Sequence, residues 1–119
     1  GAGSLYSTTA DLHRWTVALF GGKLLRPASL TKMTTPVDSG YAYGLAVGSS
    51  DGRRRFSHGG SAVGFASYLT YYPESQVTIV VLANARPPVI QGEQAAIVVV
   101  ANWLGILAHG GTVTLPARR

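Results

Sequence analysis

The chain has 119 residues, of which 46% are hydrophobic, no cysteine, and a formal net charge of +5. This length fits one modest domain or a piece of a larger one, and the apolar fraction is sufficient for a core. The lack of cysteine excludes disulfides, zinc–thiolate sites and a cysteine nucleophile. No stretch has the roughly 18 apolar residues of a membrane span, and we expect no signal peptide in these residues.

The positive charge is concentrated in Arg53–Arg55 and in the terminal Arg118–Arg119. Clustered arginines can bind phosphate backbones, but no aromatic platform or known nucleic-acid motif accompanies them here. The pattern therefore favours a solvated hairpin and a charged tail over a nucleic-acid interface.

Two helices are predicted in the first third of the chain. Thr8 followed three residues later by Asp11 is typical of a capping box, and Gly21-Gly22 marks the end of the first helix. Apolar residues stand between them at helical spacing: Leu12, Trp15 and Leu19. The second helix is predicted to begin at Pro27, whose fixed φ suits the first helical position, and to end before Pro36.

From Tyr41 onward the hydrophobic period changes to two, which predicts four mostly antiparallel strands. The predicted strands are Tyr41–Val47, Arg53–His58, Phe65–Tyr72 and Val77–Ala83. Asp51-Gly52 predicts the first hairpin turn. The nearly continuous apolar run of the last strand predicts a central strand that is covered on both faces.

A third helix is predicted over Gln91–Leu107, with apolar residues at helical spacing: Ile97, Val100, Trp103, Leu104 and Leu107. The sequence thus predicts an α+β fold, an antiparallel sheet of about four strands with a C-terminal helix packed on it. We expect one structural unit over 1–107 and a tail over 108–119, in which Thr112–Leu115 could supply an edge strand.

The segment His58-Gly59-Gly60 stands at the predicted end of the second strand, where glycines let a backbone approach a ligand closely. It resembles the third motif of the serine β-lactamase and penicillin-binding-protein superfamily, which is Lys-Thr-Gly in many members. The likeness is strongest to class C β-lactamases, family VIII esterases and D-aminopeptidases, where histidine often replaces the lysine. Further matches follow in the same order: Gly64-Phe65, Pro73-Glu74 and Leu82-Ala83-Asn84.

The resemblance implies a serine hydrolase in which a Ser-x-x-Lys serine attacks an acyl carbon and the acyl-enzyme is then hydrolysed. It implies that His58 orients the substrate or assists proton transfer, and that Gly59 and Gly60 keep the strand edge open to the substrate. It also places the backbone N–H of Ser61 in an oxyanion hole and Asn84 near a substrate carboxylate. The structural alternatives are that the histidine only ends a strand, that the two glycines only form a turn, and that the asparagine is only a turn former.

A literal Ser-x-x-Lys is present at Ser29-Leu30-Thr31-Lys32, and Ser29 and Lys32 would share a helix face. We interpret this match as coincidence, because Pro36 ends the helix after about two turns. Moreover, too few residues separate Lys32 from His58 for the helical subdomain that carries the second motif in the family. Tyr41-Ala42-Tyr43 resembles the family's Tyr-Ala-Asn only superficially and is predicted to lie on a strand.

The resemblance runs from Gly3 to about Leu107 and corresponds to the C-terminal third of the family's domain. We therefore expect a fragment, a cleavage product or one part of a split protein, without its nucleophile and inactive by itself. Ala62 and Val63 depart from the family's pattern, so a β-lactam, a D-amino-acid peptide and an ester all remain open as substrates. Family analogy favours a bacterial periplasmic, secreted or envelope location.

The expected partners are a small acyl substrate and either the missing N-terminal portion or a second copy of the chain. We expect no cofactor and no metal, because the histidines and carboxylates lack ligand spacing. The alternative function is a non-catalytic binding or assembly module derived from the same fold. An upstream Ser-x-x-Lys followed by Tyr-x-Asn in the complete reading frame would favour the hydrolase.

Overall fold

A computed structural model of the protein describes residues 3–85 and 95–115. The helices and strands follow in the order α1 (Thr9–Phe20), α2 (Pro27–Thr34), β1 (Ala46–Ser50), β2 (Arg53–Ala62), β3 (Phe65–Tyr72), β4 (Val77–Ala83) and α3 (Ala96–Ala108). The four strands form one antiparallel sheet in the order β1-β2-β3-β4. The predicted α+β fold is confirmed. None of the helices in the described ranges is long and apolar enough to cross a membrane.

Helix α1 begins as the capping pair predicts. The Asp11 N–H donates to Thr8 Oγ1 at 3.1 Å, and the Thr8 hydroxyl donates to Asp11 Oδ2 at 2.9 Å. The helix ends at Phe20, immediately before the glycine pair. Its buried residues are Thr16 and Leu19, whereas Trp15 is 43% exposed, so the inward face is rotated away from the tryptophan.

The capping contacts predict how Asp11 titrates. The Thr8 hydroxyl, and then the Arg14 guanidinium at 2.7 Å, hold the pKa of the Asp11 carboxyl below its ordinary value. Because the pKa is lower in the folded state, these bonds stabilise the fold above the unfolded-state pKa, and the contribution is lost as pH falls through the folded-state value. Thr8→Ala should raise the Asp11 pKa in an NMR titration, while Thr9→Ala should leave it unchanged. An unaltered titration in Thr8→Ala would contradict the assignment.

Helix α2 has Pro27 at its first position and ends at Thr34, so both predicted limits are confirmed. The strand predicted from Tyr41, by contrast, begins only at Ala46. Positive φ angles at Gly40 (82°) and Gly44 (77°) turn the backbone out of the extended conformation on either side of Tyr41. The alternation of large and small residues in this segment therefore belongs to a folded loop.

Strand β2 is longer than predicted. Its hairpin with β1 turns at Asp51-Gly52, whose positive φ angles of 51° and 72° fit the predicted two-residue turn. The predicted end at His58 is wrong, because β2 continues to Ala62. Pairing with β3 keeps Gly59 and Gly60 in the strand, although glycine by itself disfavours strand structure.

Strand β4 lies at the edge of the described sheet, so the predicted central position is wrong. Both of its faces are nevertheless covered, since α1 and α3 each pack against it. Coverage by two helices produces the same apolar run as a central position would.

An aromatic cluster forms the core on the face of the sheet toward α1. Phe20 stacks on Tyr71 and Phe56, with ring centroids 4.1 Å and 5.4 Å apart. Leu45 from the loop before β1 completes this cluster.

Helix α3 covers the other face. It approaches β3 so closely that a Cβ at Gly105 would overlap the Tyr72 hydroxyl. Its buried residues are Ile97, Val99, Ala101 and Gly105, and of the predicted apolar stripe only Ile97 is among them. The predicted start at Gln91 lies outside the described residues. Beyond α3, residues 111–115 have no regular secondary structure.

Candidate functional site

The His58-Gly59-Gly60 segment lies where β2 extends past its neighbour. Strand β1 pairs with β2 only from Arg53 to Ser57, whereas β3 pairs with β2 as far as Ala62. From His58 to Ala62, β2 therefore has a strand partner on one side only, as far as the described residues go. We call this stretch the open edge. An unpaired strand edge presents backbone N–H and C=O groups that an extended ligand can bind.

His58 is exposed, and its side chain contacts Tyr41. Its Nε2 atom lies 3.0 Å from the Tyr41 hydroxyl, and the two ring centroids are 6.3 Å apart. A phenol can donate to or accept from an imidazole nitrogen, so the contact suits either neutral tautomer.

The backbone of the preceding loop holds Tyr41 in place. Its N–H donates to the Asp38 carbonyl at 2.6 Å, and its carbonyl accepts from the Val37 N–H at 2.9 Å. Tyr41 is not among the site residues predicted from the sequence, because its segment was predicted to be a strand. The neighbouring Ser39-Gly40 dipeptide, a common turn former, is the sequence signal that could have indicated a loop here.

The two glycines fit against side chains of β3. The ring of Tyr68 covers Gly59, where an added Cβ would lie 3.4 Å from the Tyr68 Cδ2 atom. At Gly60 a Cβ would overlap the Ser67 hydroxyl. The Tyr68 hydroxyl reaches across to donate to Ser57 Oγ at 3.2 Å. The glycines thus accommodate neighbouring side chains as well as keeping the open edge clear.

Ser61 and Asn84 stand at the same end of the sheet as the open edge. Ser61 pairs with Ala66, and Ala66 pairs with Ala83 on the next strand. Asn84 follows directly, so it lies two strands from Ser61, or about 10 Å at the usual strand spacing. Both residues are exposed.

The second candidate pair, Ser29 and Lys32, lies on α2. Ser29 is half-buried, and the Lys32 ammonium group is 5.7 Å from the centroid of the Tyr43 ring. Among the residues described, no hydrogen bond joins Ser29 to Lys32. Within 3–85 and 95–115 no group of three or more histidine or carboxylate side chains could hold a metal ion.

Comparison with known proteins identifies relatives of this architecture. A family model described as beta-lactamase matches residues 1–102. Among solved structures, the fold is similar to the octameric penicillin-binding protein homologue from Pyrococcus abyssi, with 24% identity and a TM-score of 0.71. It is also similar to a penicillin binding protein from Bacillus halodurans, with 23% identity and a TM-score of 0.62.

The two structural matches differ greatly from the chain in length. They cover 88% and 86% of this chain but only 25% and 30% of the neighbours. The chain therefore spans about a quarter to a third of the length of these proteins. The search of curated proteins gave no match.

Proposed function

The chain belongs to the beta-lactamase family, and we propose that it forms the substrate-lining C-terminal part of a serine hydrolase that works through an acyl-enzyme. Its short span relative to the two structural neighbours supports a part of a longer protein, and the order of motifs from His58 to Asn84 supports the C-terminal part. The proposed substrates are β-lactams, D-amino-acid peptides or esters, in a bacterial envelope or secreted setting. Residues 1–107 would form the structural unit and 108–119 its tail.

The open edge beside His58 is the observation that carries the proposal. It combines three features: exposed strand backbone, two glycines that leave it accessible, and an imidazole hydrogen-bonded to a phenol. An extended acyl substrate could lie along this edge and make backbone hydrogen bonds while its carbonyl is attacked.

Each site residue has a proposed role in that reaction. His58 orients the substrate or moves a proton, and Tyr41 positions the imidazole through the 3.0 Å contact. The backbone N–H of Ser61 would stabilise the oxyanion, a contribution of about 3 kcal/mol for one well-placed donor. Asn84 would contact a carboxylate of the substrate.

We further propose that the serine nucleophile comes from polypeptide other than residues 1–119. Residues 1–119 alone should then form no adduct with a fluorescent penicillin, whereas the protein completed by its nucleophile-bearing part should be labelled stoichiometrically. Gel fluorescence followed by mass spectrometry measures both. A stoichiometric adduct on Ser29 in residues 1–119 would overturn the assignment and make Ser29–Lys32 the nucleophilic pair.

Association of the chain is expected from its exposed apolar side chains. Tyr6, Leu5 and Val63 are 100%, 95% and 99% exposed, and the open edge adds unpaired backbone groups. Surfaces of this kind tend to find partners. At micromolar concentration, sedimentation should show residues 1–119 as a dimer or bound to the missing portion. A well-folded monomer without either partner would count against the fragment model.

A further inference from the structure

A second serine–histidine pair lies at the other end of the sheet. We propose that Ser75, His109 and the backbone carbonyl of Gly105 form an acyl-transfer site for small carboxylic esters. The site is at the β1–β2 and β3–β4 turns. Along β2, His58 is five residues from the turn end at Arg53, a separation of about 17 Å. The proposal does not depend on the function proposed for the open edge.

The hydrogen bonds of His109 fix which nitrogen carries the proton. Nδ1 lies 2.7 Å from the Gly105 carbonyl oxygen, which can only accept, so the proton is on Nδ1. In the neutral ring Nε2 is then the acceptor, and it lies 2.7 Å from Ser75 Oγ. The Ser75 hydroxyl therefore donates to the basic nitrogen. This is the arrangement of nucleophile, general base and orienting group that activates a serine.

The structure holds the imidazole rigidly. His109 is the C-cap of α3, where the Gly110 and Gly111 N–H groups donate to the Leu107 and Ile106 carbonyls at 3.0 Å and 2.9 Å. These bonds form a Schellman motif, completed by Gly110 at a φ of 78°. The ring also packs edge-on against Tyr72, with centroids 4.9 Å apart. The C-terminus of a helix stabilises positive charge, so it favours the imidazolium formed when His109 takes the serine proton.

A cavity of about 410 Å³ opens beside Ser75. Its lining residues are Gly52, Arg53, Arg54, Glu74 and Ser75. Arg53 is engaged by Asp51 at 2.8 Å, whereas Arg54 forms no ion pair with the described acidic residues and has its guanidinium 5.0 Å from the Phe56 ring centroid. The lining holds two arginines and one glutamate, and Asp51 outside the lining offsets Arg53, so a small uncharged acyl group can lie there.

The proposed reaction balances in two steps. In acylation the Ser75 hydroxyl proton moves to His109 Nε2, an Oγ–carbonyl bond forms, and the ester C–O bond breaks as the alcohol takes the proton from Nε2. In deacylation Nε2 takes a proton from water, whose oxygen attacks the acyl carbon, and the acyl–Oγ bond breaks as Ser75 recovers the proton. Residues 1–119 would then have an esterase activity of their own, contrary to the expectation that they are inactive by themselves.

An alkyl fluorophosphonate, which forms a stable serine–phosphorus bond with loss of fluoride, tests the site in residues 1–119. Mass spectrometry should locate one adduct on Ser75, absent from Ser75→Ala and formed about 10²-fold more slowly in His109→Gln. Ser4→Ala and His13→Gln change another exposed serine and histidine and are matched controls that should label at the wild-type rate. The same Ser75 and His109 substitutions should abolish hydrolysis of 4-nitrophenyl acetate above background.

If the hydrogen bond between Ser75 and His109 only tied the β3–β4 turn to α3, Ser75 would not react with the fluorophosphonate. No adduct on Ser75, or an adduct rate unaffected by His109→Gln in a folded variant, overturns the proposal. Thermal melting establishes whether each variant is folded. If His109→Gln does not fold, the wild-type pH profile decides. A labelling rate that rises as imidazole loses its proton is expected, and a flat profile would overturn the site. Penicillin labelling reports separately on the function proposed for the open edge.

Discussion

Replacing His58 with alanine in the protein completed by its nucleophile-bearing part should slow the proposed acyl-enzyme formation by about two orders of magnitude. The substitution removes the imidazole that faces the open edge and its 3.0 Å contact with the Tyr41 hydroxyl. Because His58 is exposed, the free energy of unfolding should change little, so the loss would lie in the chemistry. The rate of acylation by a chromogenic β-lactam and by a 4-nitrophenyl ester measures the effect.

Three further variants separate the possible roles of this imidazole. His58→Lys should retain most of the acylation rate, because the resemblance implies that lysine serves at this position in many relatives. Tyr41→Phe removes only the hydroxyl, and loss of one hydrogen bond of about 1 kcal/mol should slow acylation about fivefold. His13→Ala, a change to another exposed histidine, is the control. Wild-type acylation by His58→Ala would exclude a role for the imidazole in the reaction.

The sequence predicts best what is decided locally. The capping pair at Thr8 and Asp11 and the proline at position 27 fix where α1 and α2 begin, because each acts within one helical turn. The Asp51-Gly52 turn is local in the same sense. The family motifs also follow one another in a fixed order along the chain, so the beta-lactamase family could be predicted and is confirmed.

The features that the sequence did not predict depend on contacts between residues that are far apart in the chain. The extension of β2 through Gly59 and Gly60 depends on partners in β3, which no pattern within β2 indicates. The Tyr41–His58 contact spans 17 residues and depends on the loop conformation at Gly40. The pair Ser75 and His109 spans 34 residues and forms only because α3 ends beside the β3–β4 turn. Spacing rules built on helices and strands cannot find such pairs.

Replacing Phe56 with alanine should have the largest effect on stability. Its side chain is buried and lies in the aromatic cluster with Tyr71 and Phe20. Removing a buried phenylalanine costs about 3–5 kcal/mol, a large share of the 5–15 kcal/mol that typically stabilises a fold. Urea unfolding followed by circular dichroism measures the change.

Phe65→Ala is the matched control for this experiment. Phe65 lies on the adjacent strand and is 61% exposed, so its loss should change the free energy of unfolding by about 0.5 kcal/mol or less. Equal effects of the two substitutions would contradict the assigned core.

Phe56 and His58 stand on the same face of β2, because side chains alternate along a strand. The aromatic cluster under Phe56 therefore also supports the open edge, and we expect Phe56→Leu, which keeps most of the buried volume, to preserve acylation better than Phe56→Ala.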